Sequence, residues 1–231
     1  MRRRMRAALR RVATRVIRPL YEYAEHLAEA DLPAFANHPR NLQIERPRRL
    51  YDTDRVWIGD DVSIGPGSLI VPQTIYPTPV MRDPAREHEV QTFDPRIAIG
   101  HRVTATGGLT IAAMQEVVIE DDVMLASNVM ICDGLHGYAH ANEPYKYQPM
   151  FRIAPVRIGR GSWLGQNVVV LPGVTIGELA IIGANSVVSH DVPARAIAVG
   201  QPARVIKRWD AATQRWVPAH ARRAGAVGSR G

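Results

Sequence analysis

One short segment of the chain holds several side chains that could carry out chemistry. It contains Cys132, Asp133, His136 and His140, and His136 lies eight residues after Asn128. An imidazole can take a proton from an alcohol near neutral pH, which allows this poor nucleophile to attack a carbonyl carbon. On these grounds His136 is one candidate general base. The residues alone leave two alternatives open, which are an ordinary loop histidine at this position and a base at His140.

The neighbours of His136 each have two interpretations. Asp133 and Asn128 are candidates for orienting the imidazole, since a partner on one ring nitrogen sets the tautomer. A solvated turn is the more common role of such an aspartate. Cys132 could be a nucleophile in a covalent route, but a lone cysteine in an apolar run is more often a small buried residue.

A period of six residues dominates the chain from about residue 56. A chain that turns every six residues can wrap around a triangular prism, with one aliphatic side chain pointing inward per face and a small residue at the corner. Successive coils then stack as parallel strands. The sequence therefore predicts an all-β fold, a parallel β-helix over residues 56–209. The clearest series of aliphatic positions is Ile158, Leu164, Val170, Ile176, Ile182 and Val188.

Two segments interrupt the period and should loop out of the prism. Residues 76–96 are rich in proline and charge, and residues 134–155 contain Gly, His, Tyr and Pro without the repeat. Loops on a rigid scaffold are common places for functional residues. Tyr138, His140 and Tyr145 in the second loop are candidates for contacting a sugar ring.

The two ends of the chain differ from the repeat. Residues 1–18 contain eight arginines and no acidic residue, so the net charge of +7 belongs to this end. The remainder is close to neutral, which argues against nucleic acid as a partner. Residues 1–55 are predicted to form a basic helical segment, which either packs on the body or rests on anionic lipid through residues 1–20. Residues 210–231 are predicted to be a tail with a disordered end.

Bulk properties narrow the cellular setting. The chain has one cysteine and so cannot form an internal disulfide, and it has no apolar run of the length that a membrane span needs. We therefore expect a cytoplasmic protein, with peripheral contact at the inner face of the membrane as the accompanying hypothesis.

The region from residue 119 to residue 209 resembles the hexapeptide-repeat acetyltransferases, in particular the galactoside, maltose and polysaccharide O-acetyltransferases. The resemblance lies in the segments NVMICDGLH, RIGRGSWLGQNVVVLPGVTIG, AIIGANSVVSHDVP and AVGQPARVIKRW. The first of these resembles the segment that carries the family's catalytic histidine, which supports His136. The resemblance implies a left-handed coil, a homotrimer with active sites between subunits, acetyl-CoA as the acyl donor and no metal.

The resemblance also implies where acetyl-CoA binds. Many relatives have lysine where His190 stands, and this departure weakens the case for a phosphate contact there. Arg204 and Lys207 have the alternative of plain surface charge. By resemblance, the residues that line the acetyl-CoA groove are Gln166, Ala184, Ser189, His190, Arg204 and Lys207.

The predicted function is transfer of an acetyl group from acetyl-CoA to a hydroxyl of a sugar or polysaccharide precursor. Four alternatives stay open. They are an N-acyltransferase on an amino sugar, a serine acetyltransferase, a non-catalytic β-helix scaffold, and a γ-class carbonic anhydrase with His101, His136 and His140 on zinc.

Overall fold

The computed structural model describes residues 12–21, 23–24 and 31–219, and its regular structure consists mainly of short strands. Residues 12–21 and 23–24 are helical, with π-helical hydrogen bonding over Ala13–Ile17. Short 3-10 turns occupy Thr53–Arg55, Pro79–Met81 and Tyr145–Tyr147. Within the described ranges no helix combines the length and apolar composition that crossing a bilayer requires.

The strands follow one another closely along the chain. In chain order they are β1 (Gln43–Ile44), β2 (Arg48–Leu50), β3 (Val56–Ile58), β4 (Ser63–Ile64), β5 (Ser68–Pro72), β6 (Ile75–Tyr76), β7 (Gln91–Thr92), β8 (Arg96–Ile99), β9 (Thr104–Ala105), β10 (Thr110–Ala113), β11 (Glu116–Ile119), β12 (Met124–Leu125), β13 (Met130–Cys132), β14 (Leu135–His136), β15 (Met150–Phe151), β16 (Val156–Ile158), β17 (Trp163–Leu164), β18 (Val169–Val170), β19 (Thr175–Ile176), β20 (Ile181–Ile182), β21 (Val187–Val188), β22 (Ala196–Gly200), β23 (Ala203–Asp210) and β24 (Arg215–Pro218).

Three sheets form the sides of a prism. Sheet A has the order β1-β4-β9-β12-β17-β20-β22-β23-β24, sheet B the order β2-β5-β10-β13-β18-β21, and sheet C the order β3-β8-β11-β16-β19. The chain visits A, B and C in turn. From β1 to β22 each strand of these three sheets pairs in parallel with its equivalent one coil away, as β12 does with β9 and β17. We name the corners A–B, B–C and C–A after the sheets that they join.

The core lies inside the prism and consists of the aliphatic residues that recur every sixth position. All six residues of the clearest series, from Ile158 to Val188, are fully buried. Their burial against the coils above and below makes the repeats mutually dependent for stability. The predicted parallel β-helix is therefore confirmed.

The corners leave little room between successive coils. A β-carbon added at Gly65 would lie 2.0 Å from the carbonyl oxygen of Thr106, and one added at Gly177 would lie 2.3 Å from the backbone nitrogen of Ala194. Atoms cannot approach this closely, so these corners require glycine.

The β-helix begins earlier than residue 56, where the sequence analysis starts it. Strands β1 and β2 already pair in parallel with β4 and β5. Ile44 and Leu50 are six residues apart and face the core, but Glu45, Arg46 and three neighbouring charged or proline residues conceal the pattern. Among the described residues of the predicted 1–55 segment, helix occupies residues 12–21 and 23–24 and the short 3-10 turn Thr53–Arg55. Residues 1–11, 22 and 25–30 of that segment lie outside the described residues.

The C-terminal end also differs from the predicted tail. Strand β23 folds back antiparallel on β22, and β24 pairs with β23, so sheet A continues to Pro218. Trp209 and Trp216 pack edge to face across this hairpin. A hairpin alternates with a period of two, which explains why the period of six ends here. The predicted disorder at the end of the tail falls on residues 220–231, outside the described residues.

Candidate active site

Both interruptions of the repeat leave the prism at the same corner. Residues 76–96 separate β5 from β8, and residues 134–155 separate β13 from β16, so both loops emerge at the B–C corner, two coils apart. Each loop is closed at its base by a short antiparallel pair, β6 with β7 and β14 with β15. The coil between them turns directly from β10 into β11, which leaves the two loops free to meet above it.

The two loops share a small apolar core of their own. Tyr76 from the first loop and Met150 from the second are buried against Met114 of the intervening coil. The side chain of Gln91 adds a polar clamp: its Oε1 accepts from the N–H of Met150 at 2.6 Å, and its Nε2 donates to the carbonyl of Met150 at 3.3 Å. The loops therefore form one unit above the B–C corner.

His136 lies at the base of the second loop, in β14, with its side chain exposed. Its Nδ1 lies 3.0 Å from the hydroxyl oxygen of Tyr76, and the two rings meet edge to face with centroids 5.3 Å apart. The Tyr76 hydroxyl donates to the carbonyl of Lys146 at 2.5 Å. The imidazole is thus held by the protein at its Nδ1 edge.

Asp133 does not contact His136, contrary to the orienting role considered from the sequence. Its carboxylate is buried and accepts the backbone N–H groups of Met114, Gln115 and Glu116, each at 2.7 Å. Burial raises the pKa of Asp133, and these hydrogen bonds oppose that shift. The aspartate stabilises the tight corner of the intervening coil, which is the corner that the loops cover.

Asn128 also serves the scaffold, and it lies at the A–B corner rather than beside His136. It has a left-handed backbone (φ 61°), as do Asn167 and Asn185 in the following coils. Their side-chain amides form a ladder, with Asn128 Nδ2 donating to Asn167 Oδ1 at 3.2 Å and Asn167 Nδ2 donating to Asn185 Oδ1 at 2.9 Å. Asparagine tolerates this conformation better than other residues with a side chain, which explains its recurrence.

Cys132 is a buried thiol and not an exposed nucleophile. Its Sγ lies 3.8 Å from the carbonyl of Val170, and burial raises the pKa of the thiol, with a further contribution from Asp133. A raised pKa keeps the sulfur protonated, and only the thiolate is strongly nucleophilic. The interpretation as a small packing residue is the one that the geometry supports.

The residues expected to bind acetyl-CoA lie in three places on one chain. Gln166 and Ala184 lie at the A–B corner in successive coils, and both are exposed. Ser189 and His190 lie at the B–C corner, with Ser189 Oγ 2.9 Å from His190 Nδ1. The last two, Arg204 and Lys207, are exposed on β23 at the end of sheet A.

The second loop places its candidate acceptor residues at its surface. Tyr138 and Tyr145 are exposed, and the ring of Tyr138 packs against Phe151. Buried Gln148 organises the loop by bonding to the backbone N–H and carbonyl of His140. The imidazole of His140 lines a cleft of about 460 Å³ between the two loops, whose other lining residues are Arg86, Glu87, His88, Glu89, Glu143, Tyr147 and Pro149.

The histidines considered for zinc are not gathered in one place. His101 Nδ1 accepts the backbone N–H of Asp60 at the C–A corner, far along the prism surface from the B–C corner of His136. Among the residues that the structure describes, no group of three or more His, Cys, Asp or Glu side chains is arranged to hold a metal ion.

Sequence reasoning missed Tyr76 and Gln91, the residues that join the loops. Tyr76 is 60 residues from its partner His136, and a lone tyrosine at the start of a proline-rich segment carries no distinguishing pattern. Only the pairing of equivalent corners two coils apart shows that these segments meet.

Comparison with known proteins gives matches over most of the chain. A family model described as bacterial transferase hexapeptide (six repeats) matches residues 155–190. The galactoside O-acetyltransferase of Escherichia coli (strain K12) is 38% identical over 116 residues, which cover 50% of this chain and 56% of that protein. A Schizosaccharomyces pombe protein named "Putative acetyltransferase" is 32% identical over 169 residues, covering 70% of this chain and 77% of that protein. The chain thus spans little more than half of the first relative and over two thirds of the second.

A solved structure shows the same fold. AntD, an N-acyltransferase from Bacillus cereus in complex with dTDP and 3-hydroxybutyryl-CoA, superposes with a TM-score of 0.60 at 18% sequence identity, and the match covers 80% of this chain and 87% of that one. At this identity the likeness concerns the fold alone, and it agrees with the left-handed coil that the family resemblance implies.

The role of Asp133 as a structural cap can be tested by mutation. Asp133→Ala removes a buried carboxylate and leaves three backbone N–H groups of this corner without their acceptor, so we expect the free energy of unfolding to fall by about 3–5 kcal/mol in denaturant titrations. Asp191→Ala is the matched control, because that exposed carboxylate accepts one N–H, from Thr175, and its loss should cost about 1 kcal/mol or less. Equal losses in the two variants would contradict the assignment.

Proposed function

Because the chain belongs to the hexapeptide-repeat acetyltransferases, we propose that it moves an acetyl group from acetyl-CoA to a hydroxyl of a sugar or glycan precursor. The observation that carries the proposal is the exposed imidazole of His136 at the base of the second loop, held from one side by Tyr76 of the first loop. An imidazole so held can act as a general base toward a hydroxyl bound at the loops.

The proposed reaction is a direct transfer with His136 as the base. The imidazole takes the proton of the acceptor hydroxyl as its oxygen forms a bond to the thioester carbonyl carbon. A donor must stabilise the oxyanion that forms, and the backbone N–H groups near Gln166 are our candidates. The intermediate collapses by breaking the carbon–sulfur bond, and the leaving thiolate of CoA recovers the proton from the imidazolium.

We assign oxygen rather than nitrogen as the atom that is acetylated. The relative that is 38% identical is named an O-acetyltransferase, whereas the N-acyltransferase AntD is similar in fold alone. Tyrosine rings exposed on the second loop, Tyr138 and Tyr145, suit a sugar ring, because aromatic faces pack well against its apolar surface.

A homotrimer is the assembly that we propose. His136 lies at the B–C corner, whereas Gln166 and Ala184 lie at the A–B corner of the same prism, so a site that uses all three is best completed between neighbouring copies. Exposed apolar side chains also line the outside of sheet A, where Met124 (47% exposed) lies beside Trp163 (44% exposed) on the next strand. Burying such side chains favours association. The exposed cations Arg204 and Lys207 are then assigned to the phosphates of acetyl-CoA.

The enzymatic proposal is tested with His136→Ala. Loss of a general base should lower kcat by about 100-fold or more, measured as acetyl-CoA turnover against a panel of neutral sugars, nucleotide sugars and amino sugars. The acetylated product should be an ester, which mild base hydrolyses, and not an amide.

The control for this experiment is His38→Ala, a histidine outside both loops, which should keep full turnover. Retention of full activity by His136→Ala, with its assembly intact, would contradict the role of His136. An amide product that resists mild base would contradict O-acetylation and favour the amino-sugar alternative.

We also propose that the N-terminal segment rests on the cytoplasmic face of an anionic membrane, near lipid-linked acceptors. Val16, Ile17 and Leu20 of the helix are between 51% and 62% exposed, and eight arginines without an acid occupy residues 1–18. An apolar face flanked by arginine suits the interface of an anionic bilayer.

Vesicle co-sedimentation of the full chain tests this contact. We expect pelleting with phosphatidylglycerol-containing vesicles and not with phosphatidylcholine alone, and Val16→Glu should weaken binding by roughly tenfold. Val80→Glu adds the same charge at an exposed valine in the first loop and should bind as the unmodified protein does. Equal pelleting with both vesicle types, or equal effects of the two substitutions, would contradict the proposal.

A further inference from the structure

We propose that Tyr76 is a positioning residue for His136, which selects the imidazole tautomer whose Nε2 is free to accept a proton. This inference deepens the proposed function, because it concerns the state of the base in that same site. It also gives the first loop, residues 76–96, a role in orienting the base.

The position of the Tyr76 ring is set by packing. The side chain is 1% exposed and lies in the small apolar core with Met114 and Met150. Its edge-to-face contact with the imidazole, at an interplanar angle of 64°, fixes the distance between the rings. The hydroxyl is therefore presented to His136 by a side chain that has no room to rotate away.

The proton count of this junction determines the tautomer. A phenol has one proton to donate, and the carbonyl of Lys146 can only accept. The 2.5 Å bond to Lys146 therefore uses the Tyr76 proton, and the phenol oxygen must accept from His136 at 3.0 Å. Nδ1 then carries the hydrogen, so Nε2 keeps its lone pair.

Burial favours the neutral phenol that this chain of bonds requires. Desolvation raises the pKa of Tyr76 above its ordinary value. A raised pKa favours the protonated phenol, which is the form that the order Nδ1–H to phenol oxygen to Lys146 carbonyl requires. When Nε2 takes a proton in the reaction, the Nδ1–H bond to Tyr76 can remain in place, so the ring need not reorient during turnover.

The junction also couples the two loops to the base. Lys146 belongs to the 3-10 turn Tyr145–Tyr147 of the second loop, and Tyr76 belongs to the first. The Gln91 clamp on Met150 holds the same two loops together. The base is therefore oriented only when both loops are docked on the B–C corner.

The first test measures the tautomer directly in the unmodified protein. Nitrogen NMR of the full chain labelled with ¹⁵N-histidine distinguishes protonated from unprotonated ring nitrogens, and the His136 signals are identified by their loss in His136→Gln. We expect neutral His136 to carry its proton on Nδ1. A neutral imidazole with the proton on Nε2 would overturn the inference, whatever the activity of any variant.

The second test removes the hydroxyl and keeps the ring. In Tyr76→Phe we expect kcat to fall about tenfold, the effect of losing one positioning hydrogen bond, with the KM for acetyl-CoA within about twofold of the unmodified value. The His136 spectrum should change to a mixture of tautomers. Tyr51→Phe, at a half-exposed tyrosine that belongs to neither loop, is the matched control and should change neither quantity.

Two outcomes separate this inference from the proposed function. An inactive His136→Ala together with a Tyr76→Phe variant of unchanged kcat and unchanged tautomer would overturn the positioning role and leave the base in place. A fully active His136→Ala would overturn the proposed function, while the change of tautomer in Tyr76→Phe would still support the orienting contact.

Discussion

The close stacking of backbone on backbone at the corners of the prism is the constraint on which the rest of the structure depends. At Gly65 even one added carbon would lie 2.0 Å from the oxygen of the next coil. Because the coils cannot separate locally, anything larger than a tight turn must leave the prism altogether. Insertions therefore become loops that point outward from a corner, and their bases stay in the register of the sheets.

The three corners of the prism differ in the residues that form their turns. The A–B corner repeats an asparagine with a left-handed backbone and links the coils through side-chain amides, as from Asn128 to Asn167. The C–A corner carries exposed ion pairs such as Arg102 with Asp122, which contribute little each to stability. The B–C corner releases two loops, and between them Asp133 caps the one coil that turns tightly. The chemistry that we propose lies at this corner because two long loops from different coils meet there.

The repeat could be read from the sequence because it depends on local spacing, whereas the candidate base could be chosen because of a family resemblance. The aliphatic series from Ile158 to Val188 indicates the inward positions, and the segment around His136 resembles a known family segment. Contacts between coils could not be predicted, since they join residues far apart in sequence without a pattern. For this reason the sequence did not indicate Tyr76. For the same reason it did not show that Asp133, three residues from His136, bonds to the backbone of the preceding coil. The first strands were missed because charged and proline residues surround Ile44.

A crystal structure of the protein with CoA bound tests the central claim most directly, namely that the B–C corner is where the acyl group is transferred. We expect the CoA sulfur within about 4 Å of Nε2 of His136, close enough for the base to serve an acceptor attacking at the same point. The phosphates should lie near Arg204 and Lys207. A CoA molecule whose sulfur lies at the A–B or C–A corner, out of reach of any His136 in the assembly, would contradict the account.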